Sequence, residues 1–259
     1  MTSRVSASPL IIAIVCSNPQ PRFPTSVASF QHYSPPPTAF KTRNVYLHTA
    51  DNETLGAWFV FADPFYAAHK ADLQSPSTSP DELLRSALRA HPTVLFLHGN
   101  GNARSLPSRV RHYQAFAARL RANVFAPDYR GFGDSTGTPS EAGLMLDARA
   151  AWDWLRASGA PAESVLVVGN SLGTGVAVQF VSALEAEQLG GDEQREEESA
   201  LEGPRGVVLL APFSNVETLL DTYYIAGLVP LLAPLRTLPF VSSESKLFLW
   251  EASGKEMAE

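Results

Sequence analysis

Apolar residues fall along this chain in two rhythms. From Thr93 onward, short runs that are almost wholly apolar alternate with longer stretches whose apolar residues recur every three or four positions. Residues 93–97, 123–126, 165–168 and 206–210 are the short runs, each bounded by turn residues, and they predict strands buried on both faces. Residues 104–121 carry the helical spacing through Val110, Tyr113, Phe116, Ala117 and Leu120. Thr138-Pro139-Ser140-Glu141 reads as a capping box opening a second helix through Leu144, Ala148, Trp152 and Leu155, which stops at Gly159. A third runs from residue 172 to about residue 189. Strands separated by helices predict a mostly parallel sheet with helices on both faces, an α/β fold.

Ahead of this unit, residues 43–49 and 54–61 predict an antiparallel hairpin joined by Ala50-Asp51-Asn52-Glu53. Residues 63–92 read as an insertion. Within it, a polar loop at 74–78 precedes a capping box, Ser79-Pro80-Asp81-Glu82, that opens a short helix through Leu83, Leu84 and Leu88. Residues 1–40, rich in Pro and Ser, read as a disordered tail or targeting segment, 41–241 as the folded domain and 242–259 as an irregular tail. The apolar stretch from Pro9 to Cys16 is shorter than the roughly 20 residues that span a bilayer and leaves targeting open.

Composition narrows the class without deciding it. With 259 residues, 45% of them apolar, the chain suits one α/β domain with a substantial core. The formal net charge of −6 argues against nucleic acid as a partner. That charge is local: Glu185, Glu187, Asp192, Glu193, Glu196, Glu197, Glu198 and Glu202 face only Arg195, so the rest is close to neutral. The acidic run reads as a solvated helix end and loop. A single cysteine, Cys16, forms no internal disulfide. No metal-ligand spacing appears, and no phosphate loop, since the glycine-rich turns lack its lysine. No cofactor is expected.

The chemistry concentrates where the third parallel strand ends. Gly169-Asn170-Ser171-Leu172-Gly173 follows an apolar run and opens a helix. Gly and Ser each make up roughly 7% of ordinary sequence, so the pattern alone arises by accident in about one chain in ten of this length. The strand before it and the helix after it turn it into a nucleophile elbow, with Ser171 strained at the apex and Gly169 and Gly173 allowing close packing. The Leu172 N–H, at the start of the helix, is a candidate oxyanion donor. The bland alternative is a glycine-rich turn with a bystander serine.

Ligands bind outside the carboxyl ends of parallel strands. His98-Gly99-Asn100-Gly101-Asn102, which leaves the first of them, should therefore meet Ser171, and Asn100 is named as the second oxyanion donor. His98 reads as a structural hydrogen-bonding residue. Asp128-Tyr129-Arg130-Gly131-Phe132-Gly133-Asp134-Ser135 leaves the next strand, and its two carboxylates and guanidinium read as ion pairs stabilising the loop.

In chain order, His98-Gly99-Asn100, the 128–135 stretch, Thr138-Pro139-Ser140-Glu141 and Gly169-Asn170-Ser171-Leu172-Gly173-Thr174-Gly175 resemble the α/β-hydrolase superfamily, in the branch containing membrane-associated monoacylglycerol and lysophospholipid lipases, near the serine aminopeptidase-like hydrolases. The resemblance runs from about Arg43 to about Phe240. It implies that Ser171 is the nucleophile, that Asn100 and Leu172 form the oxyanion hole, and that a small lipid-like ester is cleaved through an acyl-serine intermediate. It also points to a membrane, that of the endoplasmic reticulum. Asn170 stands where many members of the superfamily carry His.

In that superfamily the triad follows the order Ser, Asp, His. Here His32, His48, His69, His91, His98 and His112 all precede Ser171, and no histidine follows it. Asp192, in the acidic loop, and Asp221, in an apolar helix, are the aspartates on that side, neither of them after a suitable strand. Residues 223–240, apolar and broken by Pro230, Pro234 and Pro239, read either as the start of a cap or as apolar packing. By the resemblance two further strands should follow residues 206–210, and nothing past Val241 matches them. Two expectations follow: a serine hydrolase cut short, with impaired turnover, or a non-catalytic relative that binds acyl ligands or a partner. The exposed sheet edge left in the second case favours the first.

Overall fold

The computed structural model describes residues 41–74, 79–101, 103–189 and 203–212, with the backbone of two short strands at 224–225 and 229–230. The hairpin forms as expected. Strands β1 (Thr42–His48) and β2 (Thr54–Val60) pair antiparallel with His48 opposite Thr54, and Asn52 takes a positive φ of 69° in the turn. The strands that follow are β3 (Thr93–Leu97), β4 (Asn123–Pro127), β5 (Val165–Asn170) and β6 (Gly206–Leu210). The sheet order is β1-β2-β4-β3-β5-β6; β2 meets β4 antiparallel, and the remaining pairs are parallel. Strands β7 (Tyr224–Ile225) and β8 (Val229–Pro230) form a separate antiparallel pair.

Alternation along the strands sorts the core into two layers. Leu55, Ala57, Phe59, Leu95, Leu97, Phe125, Val165 and Val167 face one side. There they pack on α1 (Asp63–Gln74), α2 (Pro80–Ala90), α4 (Glu141–Ala157) and α5 (Leu172–Leu189). Trp58, Val60, Val94, Phe96, Val124, Ala126 and Val168 face the other side, against Val110 and Tyr113 of α3 (Pro107–Arg119). Helices thus cover both faces, as the apolar runs require.

Four local expectations change. Helix α1 lies in the stretch read as a plain insertion; Phe65 and Tyr66 are its only buried residues, too few to set up a period. Ser79 precedes α2 but makes no side-chain cap. Its carbonyl takes the Glu82 and Leu83 N–H groups instead. Before α4 the cap is Ser140 rather than Thr138: its hydroxyl accepts from the Gly143 N–H at 3.0 Å, which puts Glu141 in the first turn. Helix α3 starts at Pro107, three residues later than the spacing implied, and Arg104 belongs to the loop before it.

Arg104 has no solvent exposure. Its Nη1 donates to Asp128 Oδ2 and Asp134 Oδ1, both at 2.6 Å, and its Nη2 to Asn44 Oδ1 at 3.0 Å, with the guanidinium 5.4 Å from the Trp58 ring centre. The ion pairs expected in residues 128–135 do form, but with partners outside that stretch. Arg130 turns the other way, through Nε to Asp147 at 2.9 Å and through Nη1 to Asp51 at 2.6 Å. Of the acidic run, Glu187 reaches Arg149 on α4 at 2.7 Å. Residues 190–202 with Asp192, residues 213–223 with Asp221, both tails and the cap-like stretch beyond its two short strands lie outside the described residues.

Burial alone would raise the pKa of Asp128, but the Arg104 charge and the hydrogen bonds around the carboxylate hold it below its ordinary value. Its stabilising contribution is therefore complete above the unfolded carboxylate pKa, about 4, and is lost as pH falls through the lowered folded value. Arg104→Met leaves Asp128 buried without its main counter-charge. Urea denaturation at neutral pH should show a loss of about 3–5 kcal/mol. The sign of the pH dependence should also invert: lowering the pH toward about 4 stabilises the variant, since the protonated acid is then the cheaper buried form. An unchanged urea midpoint would contradict this account of the network.

Candidate active site

Strand β5 ends and α5 begins with one residue between them, Ser171. That residue sits at φ +50°, the left-handed region that side chains with a Cβ avoid. Two glycines make the turn possible. A Cβ on Gly169 would lie 2.3 Å from the Gly173 carbonyl oxygen, and one on Gly173 would lie 2.0 Å from the Leu97 carbonyl oxygen. No side chain fits at either place. The end of β3, the end of β5 and the first turn of α5 thus meet backbone to backbone, and Ser171 is held half-buried at the junction. Its N–H donates to Leu210 O at 2.9 Å and its carbonyl takes the Thr174 N–H at 2.8 Å. Among the described residues its hydroxyl has no hydrogen-bond acceptor.

Leu172, 5% exposed, is the first residue of α5, so its N–H has no acceptor within the helix. The loop after β3 comes to the same place. A Cβ on Gly99 would stand 3.2 Å from Ser171 Cβ and 3.1 Å from Asn170 Oδ1. Asn100, next in the chain, is exposed. Ser171, Leu172, Gly169, Gly173 and the Gly99–Asn100 peptide are therefore brought together, as the motifs implied. Asn170 spans β5 and β6, its amide donating to Leu210 O at 3.5 Å.

The described histidines stand elsewhere. His98 is fully buried, and its Nδ1 lies 2.7 Å from the Gly99 carbonyl. A carbonyl only accepts, so Nδ1 carries the proton and Nε2 takes the Tyr129 N–H at 3.4 Å. Burial and the Arg109 charge push its pKa below the ordinary histidine value, which leaves it neutral at pH 7. It ties the loop to the neighbouring strand end.

One residue escaped the sequence reading altogether. Arg109, in the first turn of α3, is 4% exposed and folds back under the loop. Its Nη1 donates to Ala103 O at 2.9 Å and its Nη2 to Gly99 O and Gly101 O, each at 2.7 Å. An arginine at a helix start carries no mark in sequence that separates it from a surface arginine.

A model of the alpha/beta hydrolase family matches residues 94–259. The chain belongs to that family. It is 34% identical over 175 residues to the lysophosphatidylserine lipase ABHD12 of Rattus norvegicus, covering 68% of this chain and 39% of that protein. It is also 34% identical over 155 residues to protein ABHD12B of Homo sapiens, covering 60% and 37%. The chain thus spans about two fifths of the length of these curated relatives. Among solved structures, an alpha-beta hydrolase from Vibrio vulnificus has a TM-score of 0.48 at 20% identity, covering 75% of this chain and 54% of that one. The Pyrococcus furiosus esterase Pf2001 has a TM-score of 0.41 at 24% identity, covering 56% and 49%.

The strain at Ser171 has a measurable counterpart. Ser171→Gly should raise stability by about 1 kcal/mol, because glycine occupies positive φ without the Cβ clash. Gly173→Ala should abolish cooperative unfolding, since its Cβ has no room against Leu97 O. Equal stability of Ser171→Gly and wild type would show that the turn stores no strain.

Proposed function

We propose that this chain carries the nucleophile and oxyanion hole of a serine ester hydrolase acting on lysophospholipid or acylglycerol esters through an acyl group on Ser171. The observation that carries this reading is a serine at φ +50°, locked between two glycines that accept no side chain, with the Gly99–Asn100 peptide beside it. A protein gains nothing in stability from such a residue; strain of this kind gathers at functional sites. In the proposed reaction Ser171 Oγ attacks the ester carbonyl while the Leu172 and Asn100 N–H groups hold the developing oxyanion; the ester C–O bond then breaks, the alcohol leaves with the proton lost from the serine hydroxyl, and water cleaves the acyl-serine to release the acid and restore Ser171. The substrate class is supported by the lysophosphatidylserine lipases among the relatives. Association with a membrane is part of the same proposal, because a lysophospholipid resides there.

The hydroxyl needs a base, and among the described residues His98 does not supply it, being neutral and committed to the loop. Where a triad member is lost, binding and the oxyanion hole still supply about 10³–10⁴-fold catalysis over water. Among the described residues the Ser171 hydroxyl has no acceptor, which also favours a second reading, an acyl-ligand binder without chemistry.

A fluorophosphonate probe separates the two, with Ser171→Ala as control. Serine-specific labelling, slow but complete, is the expected result, together with a lysophospholipid hydrolysis rate far below that of a full triad. A folded chain that takes no label would reject the hydrolase and leave the binder.

A further inference from the structure

The buried guanidinium of Arg109 touches no ligand site directly, yet it controls the loop that borders one. Among the described residues Arg109 forms no ion pair. Its hydrogen bonds go to main-chain carbonyls, those of Gly99, Gly101 and Ala103, with Asn100 O at 3.4 Å. Burial lowers its pKa from the ordinary arginine value, but that value lies so far above neutrality that the group stays charged. Placing a cation among carbonyls instead of carboxylates is a costly choice for stability alone. The guanidinium lies under the loop that borders the proposed oxyanion, with the Asp128 carboxylate acting on it only through space.

Backbone geometry supplies the rest. In a trans peptide the C=O and N–H of one plane point in opposite directions. The carbonyl of Gly99 and the N–H of Asn100 share such a plane. Arg109 Nη2 and His98 Nδ1, each 2.7 Å away, draw that carbonyl inward, so the Asn100 N–H is turned away from the guanidinium. Gly99 lies against Ser171. We infer that Arg109 is the positioning residue of the oxyanion loop: by holding the Gly99 and Gly101 carbonyls it aims the Asn100 N–H at the ester oxyanion. This inference rests on the hydrolase proposed above. Lysine at this place has one ammonium and cannot span three carbonyls in the plane a guanidinium covers.

The experiment uses the full chain as wild type, Arg109→Lys and Arg109→Met, with two readouts. The first is phosphonylation of Ser171 as a function of probe concentration. An oxyanion donor acts in the transition state, so its loss lowers the limiting rate and leaves the half-saturating concentration unchanged. Arg109→Met should lower the limiting rate about 10²-fold, with Arg109→Lys intermediate, while every molecule is still labelled in the end. A lower labelled fraction at an unchanged rate would mean a misfolded subset and a purely structural role, which overturns the inference. The second readout is amide hydrogen exchange, which needs no activity. Exchange within residues 98–103 should accelerate in both variants while β5 and α5 keep their protection. Unchanged exchange in the loop overturns the inference whatever the labelling shows. If wild type takes no label, the proposed hydrolase fails and Arg109 has no oxyanion to serve; the exchange data then judge only whether it anchors the loop.

Discussion

Three backbone segments meet without a side chain between them, and the site rests on that contact. The Gly173 Cα faces the Leu97 carbonyl so closely that a methyl group would come within 2.0 Å of it, and Gly169 faces Gly173 in the same way. Packing this tight cannot be relieved by a rotamer change, because every atom involved is main chain. It fixes the angle at which α5 leaves β5, puts Ser171 at a positive φ, and sets the first N–H of α5 beside the loop that follows β3. Strain at the serine and order around it are two consequences of one contact.

Two buried arginines then divide the work of holding the loops over this junction. Arg104 is matched by the carboxylates of Asp128 and Asp134 and anchors the long turn after β4, where Gly133 leaves room for the Asp128 carboxylate that a Cβ would strike at 2.2 Å. Arg109 is matched by carbonyls and anchors the turn after β3. The pairing with carboxylates cancels charge and serves the fold; the pairing with carbonyls orders the loop that lies against Ser171. Two guanidiniums only five positions apart thus act on different loops because one lies before the start of α3 and the other in its first turn.

Much of this was legible in the sequence, for identifiable reasons. The parallel strands are short apolar runs flanked by turn residues, and each stands within two residues of its expected end. The elbow was legible because glycine leaves a pattern when backbones touch. What sequence could not show is partnership at long range. Nothing in residues 128–135 says that Asp128 belongs with Arg104, 24 positions earlier, and not with Arg130 two positions later. Capping failed for a local reason: serine, threonine and proline stand together before α4, and only the backbone decides which hydroxyl turns toward the helix. Arg109 was invisible because a buried arginine and an exposed one are written with the same letter.

In the proposed hydrolase the N–H groups of Asn100 and Leu172 converge on one point above Ser171. A crystal structure of the fluorophosphonate adduct tests it most directly, because the phosphoryl oxygen occupies the place of the oxyanion. That oxygen should lie about 2.7–3.1 Å from both nitrogens, with Gly99 O still held by Arg109. An adduct whose oxygen faces solvent, or an Asn100 N–H turned toward the guanidinium side, would contradict it.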